Sequence, residues 1–352
     1  MTDSNVSAGK YELSSGNGQL PEIVVEVGQA HEGSESFAHA HVDEVANAGA
    51  DAIKFQLHIA AAESSTSDIF RGESRFRRES RYEYWKRNEL SLETMQDLIT
   101  HAKERSLKVG FSTFSLEGLN RVQESSADFL KIGSGEAIQM WFLEAAKIVD
   151  LPIVLSTGLS TLREVRAGVE LLAPGRESLT LLQCTTRYPS RLEDVGLNVL
   201  TEFRELFGVG VGLSDHSGTL SPALSAIASG ADMVEVHGTF TKKAQGLDSE
   251  ASLTLDEISL LCQFRDEWST IVSHPVDKDF MAENLLPMRE VFGRSLAVRE
   301  NLDPGHEICT GDLYFAKPGG GLHPNMMHSV LGKPLAKRVS ANSLLKEEDF
   351  SQ

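Results

Sequence analysis

Cysteine is scarce in this chain of 352 residues: Cys184, Cys262 and Cys309 cannot pair completely, and no C-x-x-C zinc pattern is present. A sequence this long can build a full hydrophobic core without a disulfide scaffold, so a reducing cytoplasmic compartment is expected. Positive charge is short as well, with 33 Lys and Arg against 51 Asp and Glu, a formal net charge of −18. That balance argues against nucleic acid or an anionic membrane surface as a partner, since both call for a net basic face. Any anionic substrate must then be held by a few local cations. Long apolar runs are also missing, and none approaches the ~20 residues of a membrane span. Residues 1–20 have neither a basic start nor an apolar stretch, so they read as a flexible polar tail and not as a signal peptide.

What the chain does contain is a series of short β-type runs: Ile23–Val27, Ala52–Phe55, Leu107–Phe111, Phe129–Ile132, Ile153–Leu155, Leu179–Leu182, Gly208–Leu213 and Asp232–Val236. Between them lie segments with 3.6-residue apolar spacing, such as Phe37–Ala48, Leu92–Ala102, Leu162–Leu172 and Leu220–Ala228. Eight strands alternating with helices predict a (β/α)8 TIM barrel. Its expected span is 21–272, closed by a helix near Leu255–Phe264. A linker over 273–290 and a small mostly-β module over 291–352 follow, the latter marked by Asp303-Pro-Gly and Lys317-Pro-Gly-Gly-Gly turns. The longest interruption, residues 60–90, is too polar and arginine-rich for a core element, so it is expected to be a lid or a solvated insertion.

A barrel delivers the C-terminal ends of its strands to one shared pocket. Here those ends carry Glu26, Lys54, Gln56, Thr113, Lys131, Ser134, Glu136, Ser156, Thr186, Tyr188, Ser214, His216 and His237. Two lysines among hydroxyls and glycine-rich turns suit a phosphate. An inward lysine on a strand is costly unless something anionic meets it, and the alternative to a ligand is an ion pair with Glu26, Glu136 or Glu235. His216 and His237, at the ends of consecutive strands, are candidate nitrogen ligands of a divalent metal. His31 fits loop structure or substrate contact equally, and Cys184 reads as core packing. Arg71, Arg75, Arg77 and Arg78 are expected on a solvated face.

These motifs resemble the N-acetylneuraminate (sialic acid) synthase family from Ile23 to about Phe350. The resemblance is carried by Glu26-Val-Gly with His31-Glu-Gly, Ile53-Lys-Phe-Gln56, Lys131-Ile-Gly-Ser-Gly-Glu136, Leu155-Ser-Thr-Gly158, Cys184-Thr185 with Tyr188-Pro189, Gly212-Leu-Ser-Asp-His216 and Gly246-Leu-Asp248. The C-terminal module is similar to that family's antifreeze-protein-like (SAF, β-clip) domain. The resemblance implies metal-dependent condensation of phosphoenolpyruvate with an open-chain N-acetylmannosamine-like hexose, giving a sialic-acid-type nonulosonic acid and phosphate. It further implies that Lys54, Thr113, Lys131, Ser134, Ser156, Thr186 and Ser214 hold phosphoenolpyruvate. Gln56, Tyr188, Asp248 and Lys317 would meet the sugar, together with the catalytic carboxylates Glu26 and Glu136. His216 and His237 would act catalytically by binding Mn²⁺, Mg²⁺ or Co²⁺.

The pattern departs from the family at several points. The family's Asn-His-Asn-Gly turn reads Ala30-His31-Glu32-Gly33, a sixth-strand asparagine reads Thr186, and Lys317 stands where the sialic acid synthases place an arginine that reaches a partner's sugar site. A lysine lacks the planar fork of arginine, so the acceptor stays open among N-acetylmannosamine, legionaminic or pseudaminic precursors and non-acetylated sugars. The architecture implies a domain-swapped homodimer. Two alternatives remain: a 3-deoxy-ulosonic acid synthase using another, phosphorylated aldose, and a catalytically inactive sugar-binding descendant.

Overall fold

The computed structural model describes residues 20–70, 79–174, 179–243 and 246–350. Residues 1–19 of the expected tail, and Arg71, Arg75, Arg77 and Arg78, lie outside the described residues. The chain divides after Ser273 into two compact units.

Among the described residues of the first unit, eight parallel strands close on themselves: β1 (Glu22–Gly28), β2 (Ala52–Leu57), β3 (Lys108–Thr113), β4 (Phe129–Ile132), β5 (Ile153–Ser156), β6 (Leu179–Cys184), β7 (Gly210–Asp215) and β8 (Met233–Thr239), with β8 paired to β1. A short ninth strand, β9 (Ser252–Thr254), adds in parallel to β8. The (β/α)8 barrel expected from the alternation is the observed fold. Strand side chains alternate between two faces. One set, including Val25, Ile53, Phe55, Val109, Phe111, Leu130 and Val234, packs in the main core with the surrounding helices. The other set points into the barrel. Its lowest layer is apolar, built from Val24, Ala52, Phe129, Val154, Leu182 and Met233. Gly110 belongs to the same layer because a Cβ there would come within 2.1 Å of the Phe129 ring.

Register decides what stands above that layer. Glu26 pairs with Lys54 and His237, Gln56 with Ser112, Ser112 with Lys131, and Ser214 with Glu235 and Cys184. An apolar plug therefore supports a polar floor two residues further along each strand. The helices are started by local chemistry: Ser34, Ser91, Ser115 and Thr161 each accept a backbone N–H of the first turn.

The segment 60–90 differs from its expectation. It contains helices Ala60–Glu63 and Arg81–Asn88, the second opened by a Ser80/Glu83 capping box. Tyr84 and Trp85 are buried there with Ala60 and packed by Phe70 and Leu247, so part of this polar stretch is a core element after all. The closing helix is also longer than expected, running Leu255–Ser273.

In the second unit, residues expected to form linker instead form helices Lys278–Asn284 and Leu286–Phe292. An antiparallel pair, β10 (Ser295–Val298) and β11 (Leu313–Ala316), follows. Isolated bridges such as Leu302–Val339 and Leu335–Phe350 tie the remaining loops around a separate core of Leu296, Val298, Leu302, Ile308, Leu313 and Leu345. This is the expected small mostly-β module.

Candidate active site

Above the polar floor opens a cavity of about 430 Å³, within the roughly 300–1,000 Å³ usual for small-molecule sites. Glu26, Lys54, Gln56, Lys131, Ser134, Glu136, Ser156, Thr186, Tyr188, Ser214, His216, His237 and Asp248 all line it. Among the expected site residues of this unit, Thr113 does not. Thr113 follows the inward Ser112 and so takes the opposite face, where its Cβ lies 2.9 Å from the position a Cβ on Gly118 would occupy. It packs toward the helix Leu116–Gln123, and Ser112 stands at the cavity in its place. Lys317 belongs to the second unit, with its Nζ 5.4 Å from the centre of the Phe292 ring.

Both floor lysines are buried and paired. Lys54 meets the Glu26 carboxylate and donates to Ser112 Oγ at 2.7 Å. Lys131 donates to Glu235 Oε1 at 2.5 Å, and Ser214 Oγ donates to the same oxygen at 2.9 Å. Burial lowers the Lys54 ammonium from its ordinary range, opposed by attraction to Glu235. Burial resists ionisation of Glu235, yet Lys131 and Lys54, with the hydrogen bonds from Lys131 and Ser214, hold its carboxyl well below the usual range. The floor thus holds two buried lysines, each beside a carboxylate. Ser156 Oγ is buried and makes no hydrogen bond among the described residues.

Glu136 sits just past β4, in the helix Ser134–Ala137, and burial pushes its carboxyl up to about 7. A carboxyl poised there exchanges a proton with substrate at neutral pH at little cost. Cys184, read from sequence as core packing, instead lines the cavity, its Sγ 3.1 Å from Ser134 Oγ. His31 is buried outside the cavity lining, its Nδ1 accepting the Gly33 N–H at 3.1 Å, which is the loop-structure role.

The rings of His216 and His237 lie 5.3 Å apart, with Tyr188 against both. His216 Nδ1 lies 3.2 Å from the Thr185 carbonyl and donates to it, which leaves the Nε2 lone pair facing the cavity beside Tyr188 Oη at 3.1 Å. Burial, reinforced by repulsion from His237, lowers His216 to about 3. A neutral imidazole with its outer nitrogen fixed by a carbonyl is the form that binds a metal ion. The pair fits two nitrogen ligands, with no cluster of three or more His, Cys, Asp or Glu groups suited to a metal among the described residues.

The NeuB family profile matches residues 41–274. This chain belongs to the NeuB family. It is 28% identical over 331 residues to the N,N'-diacetyllegionaminic acid synthase of Campylobacter jejuni, covering 92% of this chain and 98% of that protein. Pseudaminic acid synthase of Helicobacter pylori is likewise 28% identical, over 340 residues, 95% of this chain and 99% of that one. Among solved structures, the N-acetylneuraminic acid (sialic acid) synthetase of Leptospira borgpetersenii in complex with citrate superposes with a TM-score of 0.66 at 26% identity, covering 78% of this chain and 93% of that chain. As a NeuB-family member the chain is an enzyme, a carbon–carbon bond-forming transferase.

Sequence reasoning missed a group on the outer wall of the NeuB-family cavity: Gln29, His58, Glu63, Asp68, Arg81 and Trp85. His58 had a signal, because it continues the even-numbered inward positions 54 and 56 of β2. Glu63 and Trp85 had none, since their places depend on how two short helices fold over the barrel mouth.

Proposed function

We propose that this enzyme condenses phosphoenolpyruvate with the open-chain form of an N-acetylmannosamine-like hexose, giving a sialic-acid-type nonulosonic acid and inorganic phosphate. The observation that carries this reading is the paired floor: Lys54 and Lys131 buried against Glu26 and Glu235 with Ser112 and Ser214 as further donors, directly beneath the two histidines. Phosphoenolpyruvate presents a carboxylate and a phosphate, and its arrival lets each lysine exchange a carboxylate partner for a substrate anion. Ser134, Ser156 and Thr186 add hydroxyl donors around it. Gln56, Tyr188 and Asp248 face the space left for the sugar.

His216 and His237 would hold a divalent ion such as Mn²⁺, Mg²⁺ or Co²⁺, which would supply Lewis-acid polarisation of the sugar aldehyde. The methylene carbon of phosphoenolpyruvate attacks the aldehyde carbon, forming the new C–C bond as the C=O π pair moves onto the aldehyde oxygen, which takes up a proton to become the product hydroxyl, and leaving cationic character on the carbon that bears phosphate. Glu136, as a carboxylate, faces that charge and accepts a proton from the water that adds there; the C–O bond to phosphate then breaks, phosphate leaves with the bonding pair, and the added hydroxyl gives up its proton to become the keto carbonyl.

The C-terminal unit is assigned in this reading to the antifreeze-protein-like (SAF) type, and the enzyme to a cytoplasmic homodimer. The resemblance of Arg294-Ser-Leu, Asp303-Pro-Gly and Lys317-Pro-Gly-Gly-Gly321 supports the domain type and the homodimer, and the three cysteines that cannot pair completely support the compartment. His216→Ala and His237→Ala test the metal component. Each is expected to lose Mn²⁺ binding by calorimetry and to lower turnover by about 10³-fold or more while far-UV circular dichroism is unchanged. Full activity in either variant would refute it.

A further inference from the structure

His58 has no part in the chemistry above, yet the cavity wall is built closely around it. Its ring lies between Trp85 and Phe114, with centroids 4.0 and 4.6 Å away and interplanar angles of 16° and 4°. Arg81 extends this stack from outside, 5.1 Å above the Trp85 ring, while it bonds Asp68 at 3.1 Å. In the plane of the imidazole, Nδ1 meets Glu63 Oε1 at 2.5 Å and Nε2 lies 3.0 Å from Gln56 Oε1. Both faces are covered by aromatic rings, Nδ1 meets a carboxylate, and Nε2 lies against the Gln56 oxygen and, at 3.2 Å, the Gln29 amide nitrogen, so the ring is held in place.

The consequence falls on Gln56. A carboxamide has nearly the same shape when turned over, and only its neighbours decide which side carries oxygen. Here the Gln56 oxygen accepts from the amide of Gln29 and lies within hydrogen-bond distance of His58 Nε2. Its NH₂ is thereby directed to Glu26 Oε1, to which it donates at 3.0 Å, and Glu26 pairs in turn with Lys54. One line of contacts runs from Glu63 through His58, Gln56 and Glu26 to the barrel floor.

We infer that His58 is a positioning residue for the acceptor sugar: it fixes the Gln56 carboxamide with NH₂ toward Glu26, and it ties that orientation to the helices Ala60–Glu63 and Arg81–Asn88. This rests on the reaction proposed above, in which Gln56 and Glu26 meet the sugar. His58→Phe keeps an aromatic ring between Trp85 and Phe114 but removes both nitrogens. His58→Gln restores a donor near the Nε2 position without the ring.

In the full-length enzyme, His58→Phe is expected to raise the KM for the acceptor about tenfold, the size of one lost hydrogen bond, with the KM for phosphoenolpyruvate within about twofold of wild type. His58→Gln is expected to recover most of that loss. An unchanged acceptor KM in folded His58→Phe would overturn the inference, as would an equal rise in both KM values, which marks a general structural role. Should His58→Phe fail to fold, Glu63→Gln carries the same test, with a rise of about threefold in the acceptor KM expected and no rise overturning it. Wild-type enzyme that turns over no acceptor refutes the proposed reaction itself, whereas an active wild type beside an unaffected His58→Phe refutes only the positioning role.

Discussion

Glu136 carries the sharpest pH signature at the scale of single residues. Burial places its carboxyl at about 7, and the proposed reaction uses the ionised form. Below that pH the carboxyl is protonated and cannot accept the proton of water, so kcat/KM should rise with pH through about 7 and level off above it. Glu136→Gln should flatten this limb and lower kcat by about 10²–10⁴-fold, the usual contribution of a general base. A wild-type rate that falls through the same range would contradict the carboxylate role. Glu235 makes the corresponding case for stability. Glu235→Gln leaves Lys131 buried without its carboxylate, which should cost about 3–5 kcal/mol in denaturant unfolding, and an unchanged midpoint would contradict the pairing. The polar floor was legible as residue types, because Lys54, Lys131 and Glu235 fall on the inward period of their strands. An ion pair with Glu26, Glu136 or Glu235 was readable as the alternative to a ligand, but which lysine meets which carboxylate was not, since the partners from β4 and β8 lie 104 residues apart in sequence. Thr113 shows the same limit from the other side: a hydroxyl pair, Ser112-Thr113, offers two candidates, and only the strand register tells which one faces inward.

Elements differ in how much of their placement is written locally. The strands and long helices could be read because alternation and 3.6-residue spacing are properties of the segment itself. The helix Arg81–Asn88 could not, even though its Ser80-x-x-Glu83 start is a local signal. Its sequence is polar overall, and its buried residues are Tyr84, Trp85 and Asn88. Trp85 secures it by stacking on His58 and by carrying Arg81 on its other face. Trp85→Ala should therefore loosen this helix alone: amide hydrogen exchange over Arg81–Asn88 is expected to speed up about tenfold or more, while the barrel strands keep their protection. Equal protection before and after the substitution would mean that the stack does not hold the helix.

At the scale of the whole molecule, the barrel turns a charge deficit into selectivity. A chain with net charge −18 repels anions in general, and the few lysines it buries at the strand ends make one place where an anion gains partners. The NeuB-family match and the parallel eight-stranded barrel set the reaction class. In the proposed reaction the acceptor meets the outer wall, where Gln29, His58 and Trp85 come from loops and short helices whose positions are tertiary. The measurement that tests the account most directly is phosphate release from phosphoenolpyruvate with Mn²⁺ across N-acetylmannosamine, mannose, diacetamido-trideoxyhexoses and arabinose 5-phosphate, with a metal-free control and mass analysis of the product. The account predicts metal-dependent release with an unphosphorylated hexose, matched one to one by a nine-carbon 2-keto acid. Release without a carbon–carbon-bonded product, or release only with arabinose 5-phosphate, would contradict it.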